Sequence, residues 1–180
     1  MGILFVMKVR NMTQSAMTGT IAPDFALPAS TGKTISLAEY RGRLVVLFFY
    51  PKDMTPTCTQ EACLFRDFLE PFQENGATVL GISPDPVRRH ETFAAKHSLT
   101  YPLLSDEDLA VCKKYGVWKL KKRFGREYMG VERSTFLIDR QGRIAREWRD
   151  VRLKGHIEEV LEAVRQINKP KAAAGQTQPE

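Results

Sequence analysis

The sequence predicts an α/β fold in which a central mixed β-sheet is flanked by helices, and three observations support this prediction. Residues 44–50 (LVVLFFY) form an uninterrupted apolar run, which is typical of a central strand that is buried on both faces. Strand-like and amphipathic helix-like segments alternate after it, as they do in folds where helices cover a sheet. Near the end, residues 139–142 (DRQG) predict a hairpin turn between two further strands.

The elements follow from apolar periodicity and turn signals. Residues 24–37 predict an N-terminal β-hairpin whose two short strands surround the turn signal at 31–33 (TGK). The remaining strands are predicted at residues 44–50, 78–83, 102–104, 134–138 and 144–148. The helices are predicted at residues 58–75, 86–97, 108–115 and 155–168. This order, with a closing hairpin and a final helix, indicates an α/β sandwich with a thioredoxin-like fold.

The chain of 180 residues is long enough for one domain with a full core, and we expect that domain at residues 18–168. Residues 1–17 are expected to form a flexible N-terminal extension. Residues 169–180, which are rich in Pro, Ala and Gly, are expected to form a disordered C-terminal tail. No apolar run approaches the roughly 20 residues of a membrane-spanning helix, so no membrane association is expected.

Cysteine usage indicates a reducing compartment. The chain has three cysteines, an odd number that argues against a structural disulfide framework, and we expect a cytoplasmic protein. The spacing from Cys58 to Cys63, with Cys112 and three scattered histidines, matches no standard zinc site, so neither a metal nor a cofactor is expected. We interpret Cys112 as a core residue of a short helix, with a backup role in disulfide formation as the less favoured alternative. The histidines are interpreted as packed or solvated side chains.

The net charge of +6 contains one basic cluster, which is predicted to lie on a glycine-containing loop. Its members are Lys119, Lys121, Lys122, Arg123 and Arg126. A patch that binds nucleic acid or an acidic partner is one interpretation. A solvated loop is the favoured one, because no nucleic-acid-binding motif accompanies the cluster. No nucleic acid partner is therefore expected.

Cys58 lies at the mouth of the turn between the buried strand and the next helix. The thiolate is the nucleophilic form of cysteine, and the unpaired N–H groups and dipole of a helix N-terminus favour an anion. The helix begins either with Thr55 as N-cap and Pro56 at the first helical position, or with Thr57 in a capping box with Gln60. Both choices put Cys58 in the first turn. The prolines, threonines and second cysteine around it favour a reactive thiol over an inert buried one.

Cys63 lies five residues after Cys58, inside the predicted helix. Five helical residues correspond to about 7.5 Å of rise and about 140° of rotation, whereas a disulfide needs Cα atoms roughly 4.4–6.8 Å apart. The two cysteines therefore cannot bond while the helix is intact. From geometry alone, a packing role for Cys63 is favoured over a role in disulfide formation. A chemical role requires that Cys58 is oxidised and that the first turns unwind.

Several motifs resemble those of the peroxiredoxins. Residues 51–58 match the pattern P-x-x-x-T-x-x-C, and residues 55–63 (TPTCTQEAC) resemble the T-P-G-C-T-x-x-A-C of the peroxiredoxin Q group, also called bacterioferritin comigratory protein. Thr57 departs from this pattern, because the group commonly has Gly there and a β-branched residue does not easily adopt a positive φ. The likeness extends over roughly residues 18–167 through four further segments, at 22–25 (APDF), 81–83 (GIS), 104–106 (LSD) and 133–139 (RSTFLID).

This resemblance implies a thiol-dependent peroxidase that reduces hydrogen peroxide and organic (alkyl) hydroperoxides in antioxidant defence. Cys58 would be the peroxidatic cysteine, which attacks the O–O bond and becomes a sulfenic acid, and Cys63 would be the resolving cysteine of an intrachain disulfide. Thr55 would hydrogen-bond the thiolate and the peroxide, Pro51 would shield the pocket, and Arg133 would place its guanidinium beside the sulfur. A thioredoxin or a similar dithiol protein would be the reductant, and a monomer is expected.

Two other functions fit parts of the sequence. A thioredoxin-like disulfide reductase needs C-x-x-C, whereas four residues separate Cys58 from Cys63 here, so this function is disfavoured. A redox-responsive binding or chaperone module would use Cys58 as a sensor rather than as a catalyst. Continuous peroxide consumption with a recycling reductant distinguishes the enzyme from the sensor, which reacts once.

Overall fold

A computed structural model of the protein describes residues 17–170. The predicted N-terminal extension, apart from Met17, and the predicted C-terminal tail beyond residue 170 lie outside the described residues. Met17 packs against the core with its side chain partly buried. Within residues 17–170, no helix has the length and apolar character needed to cross a bilayer.

The elements between residues 17 and 170 alternate between strands and helices along most of the chain. The strands are β1 (Ala26–Pro28), β2 (Thr34–Ser36), β3 (Leu44–Phe49), β4 (Ala77–Ser83), β5 (Leu103–Ser105), β6 (Trp118–Arg123), β7 (Arg126–Val131), β8 (Ser134–Ile138) and β9 (Ile144–Trp148). The α-helices are α1 (Pro56–Asp67), α2 (Leu69–Glu74), α3 (Val87–His97), α4 (Ala110–Lys114) and α5 (His156–Asn168), and a 3₁₀-helix spans Leu37–Tyr40.

A five-stranded mixed sheet lies at the centre, in the order β5-β4-β3-β8-β9. β3 is parallel to β4, and β4 is parallel to β5. β8 is antiparallel to both β3 and β9. The predicted central mixed sheet is therefore confirmed, and so are the predicted bounds of β8 and β9. β1 and β2 form the predicted N-terminal hairpin.

The apolar residues of β3 are completely buried and alternate between two core clusters, one on each face of the sheet. Val45, Leu47 and Phe49 face the cluster that includes β1, β2 and α4. The alternate residues of β3 face the cluster that includes α1, α2, α3 and α5. Packing is tight where β4 crosses this second cluster: a Cβ on Gly81 would lie 2.8 Å from a ring carbon of Phe48. The uninterrupted apolar run therefore reflects burial on both faces.

The predicted helix at residues 58–75 is wrong in one respect, because it is two helices. α1 ends at Asp67 and α2 begins at Leu69, with Phe68 between them at φ −96° and ψ 4°. Pro71 explains the break, since a proline has no N–H to donate and its ring clashes with the carbonyl four residues earlier, here that of Asp67. Both short helices still pack on the same face of the sheet, through Phe65 and Phe72.

The prediction that the basic cluster lies on a loop is wrong. The cluster lies on a two-stranded antiparallel hairpin formed by β6 and β7. Its turn is Phe124-Gly125, and both residues have positive φ, 50° and 73°. Two consecutive positive φ values are the mark of a tight hairpin turn, which usually has Asn or Asp rather than Phe at its first position. Most side chains of the hairpin are exposed, so its strands lack the apolar alternation that identifies a half-buried strand.

Candidate active site

The loop between β3 and α1 places Cys58 at the start of a helix. Thr55 is the N-cap, with an extended backbone, and Pro56 is the first helical residue. The first of the two predicted helix starts is therefore confirmed. The second is wrong, because Thr57 already lies within α1 and cannot cap it with Gln60. Cys58 is the third residue of the helix, and only 2% of its surface is exposed.

Thr57, which stands where the peroxiredoxin Q pattern has Gly, requires no unusual backbone here. It lies inside α1, where dihedrals suit any L-residue except proline, and its side chain is exposed. The positive φ in this segment belongs instead to Met54, at 67°. The departure from the family pattern therefore leaves the start of the helix intact.

Arg133 connects the sulfur of Cys58 to a second acidic group. Its Nη2 lies 3.3 Å from Cys58 Sγ, and its Nη1 donates to Glu61 Oε1 at 2.8 Å. Burial lowers the pKa of Arg133, but the adjacent Glu61 carboxylate and Cys58 sulfur raise it, and the net change is upward. The backbone carbonyl of Arg133 accepts from Val151 N at 2.9 Å, which holds the segment between β7 and β8 against the next loop. A charged guanidinium is therefore held beside the thiol.

Glu61 lies on the buried face of α1, one turn after Cys58. Glutamate is a residue type expected on the exposed side of an amphipathic helix, but the side chain of Glu61 is completely buried. Burial raises the pKa of Glu61 to about 7, although Arg133 acts in the opposite direction. Its Oε2 has no hydrogen-bond partner among the described residues. The carboxyl group is therefore paired on one oxygen only.

The structure places Thr55 and Pro51 on the same loop, with different contacts from those the resemblance implies. The Thr55 hydroxyl donates to the backbone carbonyl of Lys52 at 2.9 Å. Because a hydroxyl carries a single proton, Thr55 does not donate to the Cys58 sulfur in this arrangement, although its oxygen can still accept. Pro51 is partly buried and lines an open cleft with Arg133.

That cleft has a volume of about 410 Å³ and lies between the β3–α1 loop and the basic hairpin. Pro51, Arg133 and Val151 form one side, and Lys121 and Tyr128 of the hairpin contribute to the other. Burial and the neighbouring Arg133 lower the pKa of Lys121. The β6–β7 hairpin, which the sequence predicted as a solvated loop, therefore forms one side of the cleft next to Arg133.

The other two cysteines differ in their relation to Cys58. Cys63 lies on the same helix, is partly exposed, and is a free thiol, as is Cys58. Cys112 belongs to the core cluster on the opposite face of the sheet from Cys58. Burial raises the pKa of the Cys112 thiol, and Asp106, whose carboxylate accepts from the Cys112 backbone N–H at 2.7 Å, acts in the same direction. The prediction that Cys112 faces the core is confirmed.

A second set of buried polar side chains, centred on Asp53, anchors the loop between β3 and α1. Asp53 accepts from the Tyr50 hydroxyl at 2.6 Å, and its other oxygen lies 2.6 Å from Nδ1 of His90. Nε2 of His90 lies 3.0 Å from the carbonyl of Leu104. The backbone N–H of Asp53 donates to Asp85 at 2.6 Å. These bonds fix the residues between Pro51 and the start of α1 to α3 and β5.

Sequence analysis missed three members of this region: Glu61, Asp53 and Lys121. For Glu61 a signal was present, since Cys58, Glu61, Ala62 and Phe65 form an i, i+3, i+4, i+7 stripe that is buried throughout. Asp53 has a nearby partner in Tyr50, but its partner His90 lies 37 residues away, and no local pattern indicates that Lys121 lies near Arg133. Among residues 17–170, no group of three or more His, Cys, Asp or Glu side chains is placed to hold a metal ion.

Comparison with known proteins gives one consistent family. The AhpC/TSA family matches residues 18–147 of this chain. Peroxiredoxin Bcp of Bacillus subtilis is 49% identical over 150 residues, which cover 83% of this chain and 96% of that protein. Peroxiredoxin Bcp of Escherichia coli K12 is 43% identical over 143 residues, which cover 79% and 92%.

Solved structures show the same relationship. A structure of Xanthomonas campestris peroxiredoxin Q matches with a TM-score of 0.77 and 40% identity, covering 81% of this chain and 92% of that one. Peroxidoxin BcpB of Mycobacterium tuberculosis matches with a TM-score of 0.75 and 39% identity, covering 85% and 99%. Peroxiredoxin Q proteins have a thioredoxin-like fold, so the predicted thioredoxin-like fold is confirmed.

Proposed function

Because this chain belongs to the AhpC/TSA family and is a peroxiredoxin, a thiol peroxidase, we propose that Cys58 is its peroxidatic cysteine and Cys63 its resolving cysteine. The proposed substrates are hydrogen peroxide and organic hydroperoxides, and the proposed reductant is a thioredoxin-type dithiol protein. The site belongs to a domain at residues 18–168 of a monomeric, cytoplasmic protein. The observation that supports the role of Cys58 most strongly is the 3.3 Å contact between its Sγ and Nη2 of Arg133.

In the first step the Cys58 thiolate attacks one oxygen of the peroxide. The S–O bond forms as the O–O bond breaks, Cys58 becomes a sulfenic acid, and the other oxygen leaves as alcohol or water after taking a proton. The helix start and Arg133 both stabilise the thiolate before attack. The same guanidinium stabilises negative charge that develops on the departing oxygen. The proton of Thr55 is donated to the carbonyl of Lys52, so its proposed role is to accept a hydrogen bond from the peroxide.

In the second step Cys63 attacks the sulfenic acid, a disulfide forms, and water leaves. Both cysteines lie on α1, so its first turns must unwind. Residues 56–59 are Pro-Thr-Cys-Thr, and apart from the proline at the first position these residues have modest helix propensity. Oxidation also removes the anion that Arg133 and the helix start stabilise. Both effects favour opening of this segment after peroxide has reacted.

In the third step a dithiol reductant exchanges with the Cys58–Cys63 disulfide and restores both thiols. Unwinding would bring both sulfurs out of the helix packing and within reach of a protein thiol. Xanthomonas campestris bacterioferritin comigratory protein is 39% identical to this chain. A solved structure of that protein is described in terms of its alkyl peroxide reduction activity. That activity of a relative supports organic hydroperoxides as substrates here.

Peroxide consumption with a recycling dithiol reductant tests this proposal in wild type and three matched serine variants. Cys58→Ser should lose turnover, because no other thiol lies beside Arg133. Cys63→Ser should reduce one equivalent of peroxide and then stall as a sulfenic acid that over-oxidises readily. Cys112→Ser, the control on the other face of the sheet, should retain most of the turnover. Turnover that survives in Cys58→Ser would overturn the assignment, and a wild type that reacts only once would indicate a sensor.

A further inference from the structure

We propose that Glu61 and Cys58 share one proton across Arg133, so that Glu61 holds the proton when Cys58 is a thiolate. Glu61 is thus a positioning and proton-sharing residue for the peroxidase reaction. This inference rests on the proposed function, because it treats the ionisation of the thiol that attacks peroxide. It concerns a residue that the three steps above do not otherwise use.

The geometry that supports the proposal is a cluster of three groups, in which two buried acidic side chains contact the partly buried Arg133. The guanidinium of Arg133 contacts Cys58 Sγ at 3.3 Å with one nitrogen and Glu61 Oε1 at 2.8 Å with another. Cys58 and Glu61 are three residues apart on α1, so their side chains lie one above the other on the same face. Cys58 is 2% exposed and Glu61 is fully buried. Two acidic groups therefore face one cation away from water.

The charges of this cluster require a shared proton. Arg133 can neutralise one anion, and a second unneutralised anion in a buried site is costly. The site therefore favours one anion in total, either the Cys58 thiolate or the Glu61 carboxylate. Glu61 can take the proton because Oε2 lacks a hydrogen-bond partner in the described part of the chain. The pKa of Glu61, raised by burial to about 7, agrees with a group that exchanges a proton near neutral pH.

The other charged or titratable groups around the cluster leave this balance unchanged. Tyr101 packs near Glu61 and donates to the carbonyl of Ala62 at 2.6 Å, and burial raises its pKa well above the usual value, so it stays neutral. Lys121 is a second, partly buried cation near Arg133, and its interaction with Cys58 across the open cleft favours the same arrangement, a thiolate with the proton on Glu61. Glu132 is paired with Lys119 at 3.0 Å. Within residues 17–170, Arg133 is the cation that contacts both acidic groups, and it is partly buried.

The shared proton keeps the net charge of the site constant through the reaction. Before attack, Cys58 is an anion, Arg133 a cation and Glu61 neutral. After attack, Cys58 is a neutral sulfenic acid, the leaving oxygen has gained one proton, and Glu61 has lost one. Arg133 then pairs with the Glu61 carboxylate. Each state has one buried anion and one buried cation, so no step creates an unpaired buried charge.

Titration of the Cys58 thiolate by ultraviolet absorbance tests the proposal in a protein whose other thiols are removed by Cys63→Ser and Cys112→Ser. Glu61→Gln keeps an acceptor for Arg133 and removes the charge. Because a shared proton leaves Glu61 ionised in part of the molecules, thiolate formation in wild type should spread over two steps about one to two pH units apart, the effect of one charge a helix turn away at an effective dielectric constant of ~20, and Glu61→Gln should leave a single step at the lower pH. Glu70→Gln, an exposed glutamate on α2, should leave the midpoint unchanged.

A merely structural role for Glu61 predicts the opposite result. If Glu61 only held Arg133 in place, Glu61→Gln would loosen Arg133 and move the midpoint upward. A midpoint that rises, or that stays within about 0.3 units, therefore overturns proton sharing. Neither result depends on peroxide turnover. If the titration contradicts proton sharing, the assignment of Cys58 as the peroxidatic cysteine is still tested separately by the turnover of the serine variants.

A second measurement keeps the proposal testable if Glu61→Gln does not fold. The infrared carbonyl band of a buried protonated carboxyl group should persist to higher pH in wild type than in Cys58→Ser, because the thiolate keeps the proton on Glu61. Because the two groups are coupled, this shift and the shift that Glu61→Gln causes in the thiolate titration should add up to the coupling between them. A band that disappears at the same pH in both proteins contradicts proton sharing.

Discussion

Two buried charge clusters flank the loop that leads into α1, and they differ in how completely their polar atoms are paired. In the cluster of Tyr50, Asp53 and His90, both carboxylate oxygens and both ring nitrogens have partners within 3.0 Å. In the cluster of Arg133, Glu61 and Cys58, one carboxylate oxygen has no partner among residues 17–170, and the third member is a thiol. Fully satisfied networks rigidify a structure, whereas an unpaired buried polar atom is consistent with a catalytic role. We infer that the first cluster holds the loop, and we propose that the second carries the chemistry.

The largest effect on stability is expected from the first cluster. His90→Phe leaves one oxygen of the buried Asp53 side chain without its hydrogen-bond partner, and an unsatisfied buried polar group costs about 1–3 kcal/mol of unfolding free energy, more when it is charged. Chemical denaturation measures this loss. His97→Phe, at a partly buried position that packs on Phe93, is the matched control and should cost much less. A loss below about 1 kcal/mol for His90→Phe would show that the cluster does not anchor the loop.

The second cluster should instead control the rate. Arg133→Met keeps much of the side-chain volume and removes the charge beside Cys58. The reaction with peroxide should slow by about 10²–10³-fold, as when one electrostatic stabiliser is removed from an enzyme site. Stopped-flow kinetics at neutral pH gives this rate. Arg146→Met, at an exposed pair with Glu159, should leave it unchanged, and a similar rate for both variants would place Arg133 outside the reacting centre.

The smallest effect is a dependence of stability on pH that arises from Glu61 and that the comparison of wild type with Glu61→Gln isolates. The pKa of Glu61 is raised from 4.5 to about 7 in the folded protein, so between these values the folded state binds more protons than the unfolded state. Wild-type unfolding free energy therefore loses up to about 3 kcal/mol through this group as pH rises from 4.5 to 7. Glu61→Gln removes that loss.

Urea unfolding of both proteins across this pH range measures the difference between them. The stability of Glu61→Gln minus that of wild type should grow with pH and then level off above about 7, since the raised pKa of Glu61 sets the upper limit. Glu70→Gln, at an exposed position, should show no such trend relative to wild type. A constant difference for Glu61→Gln would mean that Glu61 is ionised throughout and does not exchange a proton.

Local sequence signals predicted the framework of the fold and the position of Cys58. The apolar run before residue 51 and the turn at 139–142 carry enough local information to identify β3, β8 and β9. Proline at the first helical position indicated one of the two predicted starts of α1, and the structure confirms that one. The importance of Arg133 came only from family resemblance, because 75 residues separate it from Cys58 and nothing in its local sequence distinguishes it.

Other features could not be predicted because tertiary contacts decide them. Glu61 looks like a surface residue by type, and only the packing of α1 shows that its face is buried. His90 is paired with Asp53 across 37 residues, and a histidine on a helix carries no sign of that partner. The β6–β7 hairpin escaped prediction because its strands are exposed and its turn contains Phe124 rather than a residue favoured at positive φ.

Peptide mapping of the protein after one equivalent of peroxide tests the central claim most directly. The thiols of Cys58 and Cys63 are free in the reduced protein, and the account predicts that they form the main disulfide, with loss of helical circular dichroism and faster amide exchange confined to the first turns of α1. A main product that links Cys58 to Cys112, or Cys58 of two molecules, would contradict the account and leave Cys63 as a packing residue.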